Sequence, residues 1–306
     1  MLLQLLSLVL VLSGLLAMPA TPGKSATYTR GDNMARAMTP TEKTTYKGLF
    51  PKLDTDAAVV TDEATPVYNC LAWTLGFTDR WIWPGENAAD FDRLYGQYGF
   101  QRANNGPIAA WGQSQSQMTH GCISGKGHGP RWESKLGQLL RIQHGLSELE
   151  GAAYGKVQFF YDKSQLAAVP PGANRVATLM DELRLTDADI KTLAAETNDV
   201  VPALRKRFEK LYAAWRKTWA RADIALSSDP SAVRHSAEYL ALAALGPQII
   251  PLIVERLSKE DEFFALQLYD AVQENPALII SLHSDERVLG GEQLRAMETV
   301  KRYLAR

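Results

Sequence analysis

The strongest constraint on the fold of this chain is a change of sequence pattern at Pro170-Pro171-Gly172. Between residues 46 and 161, short apolar runs alternate with turn-forming residues, as they do in strand-rich domains. After Tyr161 the strand pattern ends, and apolar residues recur at helical spacing. The sequence therefore predicts an α+β domain over residues 46–163, linking amphipathic helices over 164–226 and an all-helical domain over 227–306.

The first domain is predicted to interleave short strands with helices. The alternating runs predict strands at Ile108–Gln113, Met118–Ser124, Arg131–Leu136 and Lys156–Tyr161. Helices are predicted at Cys70–Gly76, Ala88–Tyr98 and Gln138–Leu149.

The C-terminal part is predicted to be a series of helices. Thr186 is a capping residue for a helix over Asp187–Ala195, and Pro202 opens a long helix that reaches about Leu226. The segment 245–257 resembles one helical pair of a HEAT-type repeat, but no second copy follows at a fixed period. A compact HEAT-like helical domain is therefore expected, with helices at Pro230–Leu245, Gln248–Leu257, Glu262–Glu274 and Gly291–Leu304.

The N-terminus has the pattern of an export signal. Residues 2–17 are almost purely apolar, yet shorter than the roughly 20 residues that span a bilayer, and small residues and prolines follow. Residues 1–26 are thus predicted to be a signal peptide and processing region, and 27–45 a flexible lead-in, in a secreted or cell-envelope protein without a stable membrane span after cleavage. Because no Lys or Arg precedes the apolar run, two alternatives stay open: an uncleaved anchor, or a cytoplasmic protein that starts near Met34 or Met38.

Composition excludes several classes of function. The 33 basic and 34 acidic residues give a net charge of −1, which argues against a dedicated polyanion-binding protein, nucleic-acid-binding proteins included. Two cysteines are too few for a disulfide scaffold or a thiolate zinc cage.

The sharpest local motif is Tyr68-Asn69-Cys70-Leu71-Ala72-Trp73. Asn69 is a good N-cap, which places Cys70 at the first position of a helix. Because the helix N-terminus is electropositive, it is expected to lower the pKa of the thiol, and its free N–H groups can hold a developing oxyanion.

A base for such a thiol is available in the next predicted hairpin. His120 and Ser134 lie on the two predicted strands around Gly125–Gly129, and a turn centred on Gly127 pairs His120 with Ser134 and Cys122 with Trp132. Direct cross-strand neighbours are about 5 Å apart, so Ser134 is predicted to orient the imidazole. Glu133 and His144 are alternatives for that role.

Motifs spread over residues 46–161 together carry a family resemblance. They are Tyr46–Pro51, Tyr68–Trp73, Trp81–Pro84, Thr119-His120, Trp132–Gly137, Leu149–Gly151 and Tyr154-Gly155. They resemble an uncharacterised microbial domain family of papain-like type, which is distantly similar to NlpC-type thiol peptidases and related amidases. The resemblance implies a papain-like fold, a Cys-bearing helix on a small antiparallel sheet, Cys70 as nucleophile and His120 as base.

The resemblance confers no substrate, and this chain departs from the pattern in two places. Gly121-Cys122 follows His120, where small apolar residues such as alanine are expected, and Ala64 stands where papain-type enzymes have an oxyanion glutamine.

Two functions follow as hypotheses. The first is a thiol hydrolase of an amide, peptide or ester, in which Cys70 attacks, His120 transfers the proton and Ser134 holds His120, with no cofactor. Asn69, Trp73 and Trp132 would line its substrate site. The second is a catalytically inactive protein on the same fold that binds a protein partner through its helical domain.

The two cysteines also allow structural roles. In an oxidising compartment Cys70 and Cys122 could form a disulfide, or Cys70 could be an inert buried thiol. Metal binding by Cys70, His120, Cys122 and His128 is disfavoured because no close-spaced ligand pair is present.

The predicted helix from Pro202 carries a basic stripe. Lys206, Lys210, Lys217 and Arg221 fall within about 60° of arc, opposite an apolar face. Basic amphipathic helices bind anionic membranes or nucleic acid, but more often they pack their apolar face on a domain and leave the charges in solvent. Packing through Trp215 and Trp219 is the expectation here.

Overall fold

An antiparallel sheet organises the N-terminal half of the structure. Its strands are β1 (Arg36–Ala37), β2 (Val59–Asp62), β3 (Phe100–Ala103), β4 (Ile108–Ser114), β5 (Gln117–Ser124), β6 (Trp132–Lys135), β7 (Arg141–His144) and β8 (Lys156–Lys163). Their order across the sheet is β1-β2-β7-β6-β5-β4-β8-β3. The computed structural model describes residues 35–125, 131–163, 179–259, 261–280 and 285–306. The predicted signal region, the Pro170–Gly172 boundary and His128 therefore lie outside the described residues.

The mixed α and β class is confirmed, with the helices mostly C-terminal. All four predicted strands are present as β4, β5, β6 and β8, within one or two residues at their ends. The sheet is nevertheless larger than predicted, because β1, β2, β3 and β7 add four further strands.

The predicted helix over Gln138–Leu149 is wrong, because the chain forms β7 there. Gly137 adopts a positive φ of 56°, which lets the chain turn sharply out of β6. Ile142 then pairs with Ser134 on one side and with Val60 on the other, so β7 lies between two strands. Hydrogen bonding on both sides overrides the local helical pattern.

Three helices accompany the sheet: α1 (Pro40–Leu49), α2 (Cys70–Thr74) and α3 (Ala88–Gln97). α1 begins at a capping box in which Thr39 accepts from the backbone of Glu42 and the Glu42 side chain accepts from the backbone of Thr39. The last part of the predicted flexible lead-in, 27–45, is thus occupied by β1 and the start of α1.

The C-terminal half is helical. The capping box of Thr186 and Asp189 and the opening of the long helix at Pro202 are confirmed, but that helix ends at Thr218, since Arg221 takes an extended conformation. Among the described residues, no single helix is long and apolar enough to span a membrane, and one pair bent by 94° passes that test jointly. The helices are α4 (Asp187–Asp199), α5 (Pro202–Thr218), α6 (Ala222–Ala225), α7 (Ala237–Ala243), α8 (Ile250–Leu257), α9 (Leu266–Val272) and α10 (Asp285–Leu304).

Trp81 connects the sheet to the helices. Its ring belongs to the helical core, where it packs at 5.3 Å from the Phe264 ring. Its indole Nε1 donates to the carbonyl of Ser228 at 2.8 Å, and its backbone N–H donates to Gln293 at 2.8 Å. One side chain from the loop before α3 therefore completes the core of the C-terminal half.

We expect Trp81→Ala to lower the free energy of unfolding by about 3–5 kcal/mol, because it leaves a cavity in this core and removes the 2.8 Å hydrogen bond to the Ser228 carbonyl. Trp81→Phe keeps much of the ring volume and should cost less. Urea unfolding followed by circular dichroism measures both. Leu240→Ala is the control, since Leu240 is 66% exposed; equal losses in Trp81→Ala and the control would contradict this role of Trp81.

Candidate functional site

Asn69 is the N-cap of α2, and the polar atoms of its side chain are all hydrogen-bonded to backbone groups. Its Oδ1 accepts from the N–H groups of Ala72 at 3.1 Å and Ile82 at 3.3 Å. Its Nδ2 donates to the carbonyl of Ile82 at 2.7 Å. The predicted N-cap is thus confirmed, and the side chain also fastens the Ile82 segment to α2, so Asn69 has no polar atom left over to recognise a substrate.

Cys70 is fully buried at the first position of α2. Its Sγ forms a hydrogen bond of 3.0 Å with Oγ of Ser228, from the C-terminal half of the chain. Burial raises the pKa of the thiol to about 11, although Ser228 and the backbone of Gly121 act in the opposite direction. The predicted lowering of the pKa by the helix N-terminus is therefore wrong, because removal from water outweighs the helix end.

Gly121 allows α2 to lie directly on β5. A Cβ atom at this position would lie 2.8 Å from the Tyr95 hydroxyl and 2.9 Å from Cδ2 of Leu71. Even alanine would be crowded at this position. Since successive side chains of a strand point to opposite faces, His120 projects from the other face of β5.

His120 lies in a buried polar chain on that other face. Its ring stacks on Tyr154 at 4.0 Å, and its Nε2 is 2.9 Å from Oγ of Ser134. Ser134 continues to Nε2 of His144 at 2.8 Å, and His144 Nδ1 lies 2.8 Å from the carbonyl of Gly145. All three side chains are buried.

The direction of these hydrogen bonds follows from the carbonyl at one end. Because the Gly145 carbonyl only accepts, His144 donates from Nδ1 and accepts at Nε2 from the Ser134 hydroxyl. Ser134 must then accept from Nε2–H of His120, which leaves Nδ1 of His120 as an unprotonated nitrogen. That atom is buried without a hydrogen-bond partner among the described residues.

The predicted contact between His120 and Ser134 is confirmed, although the strand register differs. Ser124 faces Trp132, whereas Cys122 was predicted there. A shift of two residues keeps every side chain on its face, so Ser134 still reaches the imidazole diagonally. His144 joins the same chain, while Glu133 forms an ion pair with Arg141 at 3.0 Å instead.

The other predicted site residues are not gathered around Cys70. Trp73 stacks against the guanidinium of Arg141 at 3.8 Å, and Trp132 packs near Phe160 on the opposite face of the sheet. Cys122 packs in the cluster that contains Trp132, and Trp111 Nε1 lies 3.3 Å from its sulfur. Both cysteines are free thiols. Within the described ranges, no group of three potential metal ligands comes together.

Two residues near Cys70 were not predicted from the sequence. Ser228 is separated from Cys70 by 158 positions, and no local pattern marks it. Lys135 is fully buried and donates to the carbonyls of Thr65, Gly137 and Leu139 at 3.0, 2.7 and 2.6 Å. Burial lowers its pKa to about 7, while three acceptors match the three hydrogens of an ammonium group.

Comparison with known proteins identifies one uncharacterised domain. A family model described as a domain of unknown function (DUF7689) matches residues 59–162. This match runs from β2 into β8, and it contains Cys70, His120 and Ser134 but not the C-terminal helices. No curated protein and no solved structure matches the chain. The match is consistent with the expected uncharacterised family and does not extend to papain-like or NlpC-type proteins.

We expect the protein to lose stability as pH falls below about 6.5, the ordinary pKa of histidine. Burial lowers the pKa of His144 to about 4 and that of His120 well below its usual value. Below pH 6.5 the unfolded chain thus binds protons that the folded chain does not, and each histidine can cost up to about 1.4 kcal/mol per pH unit. Urea unfolding between about pH 7.5 and 5.5 measures this slope.

The matched variants are His144→Gln and His235→Gln. His144→Gln removes one buried titrating group and should flatten the slope below pH 6.5, whereas His235 is exposed and its replacement should leave the slope unchanged. Equal slopes in His144→Gln and the parent protein would contradict the assignment of neutral buried histidines.

Proposed function

We propose that this chain is a non-catalytic binding protein in which Cys70, His120 and Ser134 are structural residues. The observation that carries this proposal is the environment of Cys70. Its sulfur is fully buried and hydrogen-bonded to Ser228, and its pKa is raised to about 11. A cysteine nucleophile needs the thiolate form and a base within hydrogen-bond reach.

Neither requirement is met at Cys70. At neutral pH a thiol with a pKa near 11 is almost entirely protonated. His120 uses Nε2 on Ser134, and its Nδ1 makes no hydrogen bond to the sulfur. The N–H group of Ala72, in the first turn of α2, is already bonded to Asn69. The Cys70 thiol, the His120 imidazole and the Ala72 N–H group thus each form a hydrogen bond within the fold.

A thiol hydrolase is the second candidate function, and the observation that favours it is the state of one atom, Nδ1 of His120. Nδ1 of His120 is an unprotonated nitrogen without a partner among the described residues, which is the state of a general base. The placement of Cys70 at the start of a helix on an antiparallel sheet also agrees with the papain-like resemblance. Catalysis would require the segment that carries Ser228 to move away from the sulfur. It would also require His120, which projects from the other face of β5, to be brought to the sulfur.

We expect iodoacetamide to label Cys70 in the native protein at least about 100-fold more slowly than in the urea-unfolded chain, because the thiol is enclosed and protonated. Site-resolved mass spectrometry of the full chain measures Cys70 and Cys122 separately. His120→Gln keeps a donor for Ser134 and should leave the rate at Cys70 unchanged. Rapid labelling of Cys70 at mildly acidic pH that collapses in His120→Gln would overturn the proposal and favour the hydrolase.

We also expect Cys70→Ala to destabilise the protein by about 1–2 kcal/mol, because it removes a buried group and its hydrogen bond. Removal of a strained catalytic group is often neutral or stabilising instead. In a double-mutant cycle, Cys70→Ala and Ser228→Ala should show a coupling of about 0.5–1 kcal/mol in urea unfolding.

The control cycle pairs Ser228→Ala with Cys122→Ala. Cys122 lies in a different hydrophobic cluster from Cys70 and bonds to Trp111, so these two changes should be additive. A more stable Cys70→Ala protein, or a Cys70–Ser228 cycle that is additive like the control, would contradict a structural role.

A further inference from the structure

The outward face of α5 carries a row of cations. Phe208, Tyr212 and Trp215 are buried in the helical core, which fixes the orientation of the helix. On the other side Lys206, Lys210 and Lys217 are exposed. At 1.5 Å per residue, Lys206 and Lys217 are about 16 Å apart along the axis, with Lys210 between them and all three within about 40° of arc. We call these three lysines the α5 basic row.

The α5 basic row is not neutralised by the protein itself. Arginines beside it are paired: Arg216 with Glu262 at 2.6 Å and with Asp261 at 2.8 Å, and Arg221 with Asp223 at 2.7 Å. Glu209, the acid on α5 itself, is paired with Arg256. Within the part of the chain that the structure describes, the three lysines of the row form no ion pair.

The row offers charge and no large apolar side chain. The exposed large hydrophobic side chains among the described residues are Ile190, Val201 and Leu240. Val201 directly precedes α5, but at 100° per residue it lies about 140° around the helix from Lys206, on the side of Phe208 and Tyr212. The contact that the row offers to a lipid surface is therefore electrostatic, between ammonium groups and headgroup phosphates.

We propose that the α5 basic row binds the anionic headgroups of a phospholipid surface. The alternative polyanion, nucleic acid, is less well matched, because single-stranded binding uses exposed aromatic side chains and the exposed large hydrophobic residues are aliphatic. With a net charge of −1, attraction to a polyanion must also come from this local row. This inference rests on the proposed binding function, for which it names the partner.

The test is sedimentation of the full chain with lipid vesicles. One set of vesicles is phosphatidylcholine alone and measures the binding that does not depend on anionic lipid, including any contribution of the apolar residues 2–17. The other set contains about 30% phosphatidylglycerol. We expect binding to increase with the anionic lipid and this increase to disappear between about 50 and 300 mM NaCl. The triple variant Lys206→Gln, Lys210→Gln and Lys217→Gln should weaken the anionic increment by about 100-fold.

The matched control replaces Lys156, Lys163 and Lys191 by glutamine, which gives the same net charge from exposed lysines on other elements. The control should retain the increment. An absent increment, or equal losses in the two triple variants, would overturn the proposal. Binding of a short DNA duplex that needs the same three lysines, without the lipid increment, would overturn it in favour of nucleic acid.

The two proposals fail independently in these experiments. If vesicles do not bind while Cys70 stays protected from iodoacetamide, only the lipid partner is rejected. If Cys70 is rapidly labelled and depends on His120, the non-catalytic function is rejected whatever the vesicles show.

Discussion

The contacts of Ser228 hold the two halves of the molecule in one arrangement. Its hydroxyl meets the sulfur of Cys70, and its carbonyl accepts from the indole of Trp81 at 2.8 Å and from Asn69 Nδ2 at 3.5 Å. Cys70 is the first residue of α2, Asn69 is its N-cap, and Trp81 is the side chain that enters the helical core. A buried carbonyl and a buried sulfur that lost these partners would cost free energy, so the chain around Ser228 cannot shift without disturbing the helix, its cap and the core together.

Burial at this junction decides the electrostatics of the site. A helix end lowers the pKa of an exposed thiol, whereas transfer of a thiolate out of water raises it, and the second effect is larger for a fully buried group. The same reasoning applies to His120 and His144, whose charged forms lack a carboxylate to compensate for lost solvation. A neutral chain of His120, Ser134 and His144 satisfies its hydrogen bonds without charge, except at one nitrogen of His120. The residue types of a catalytic site are therefore present in an environment that favours their uncharged forms.

Local features of this fold could be predicted from the sequence, and long-range ones could not. The caps at Asn69 and Thr186 and the strands β4, β5, β6 and β8 follow from side-chain chemistry and alternation within a few residues. The contact of His120 with Ser134 was predicted correctly although the predicted register was wrong by two residues, because a two-residue shift leaves both side chains on the same face of the sheet. β7 was missed because pairing with strands far along the chain overrides its local pattern. Ser228 was missed because only the folded chain brings it to Cys70, and the pKa of Cys70 was mispredicted for the same reason.

The fold requires partners for its buried charges but not for its exposed ones. Buried charges need partners, and Arg295 accordingly bonds to Asp270 and Glu292, while Lys135 donates to three carbonyls. The α5 basic row is exposed, so solvation alone satisfies its charges, and its helix is already anchored by Phe208, Tyr212 and Trp215 on the opposite side. The free energy of unfolding therefore depends on the inward face of α5 and hardly on the charges of its outward face. The three lysines repel one another slightly and contribute nothing to the core, so the lipid surface is proposed as a partner of this face and not as a requirement of the fold.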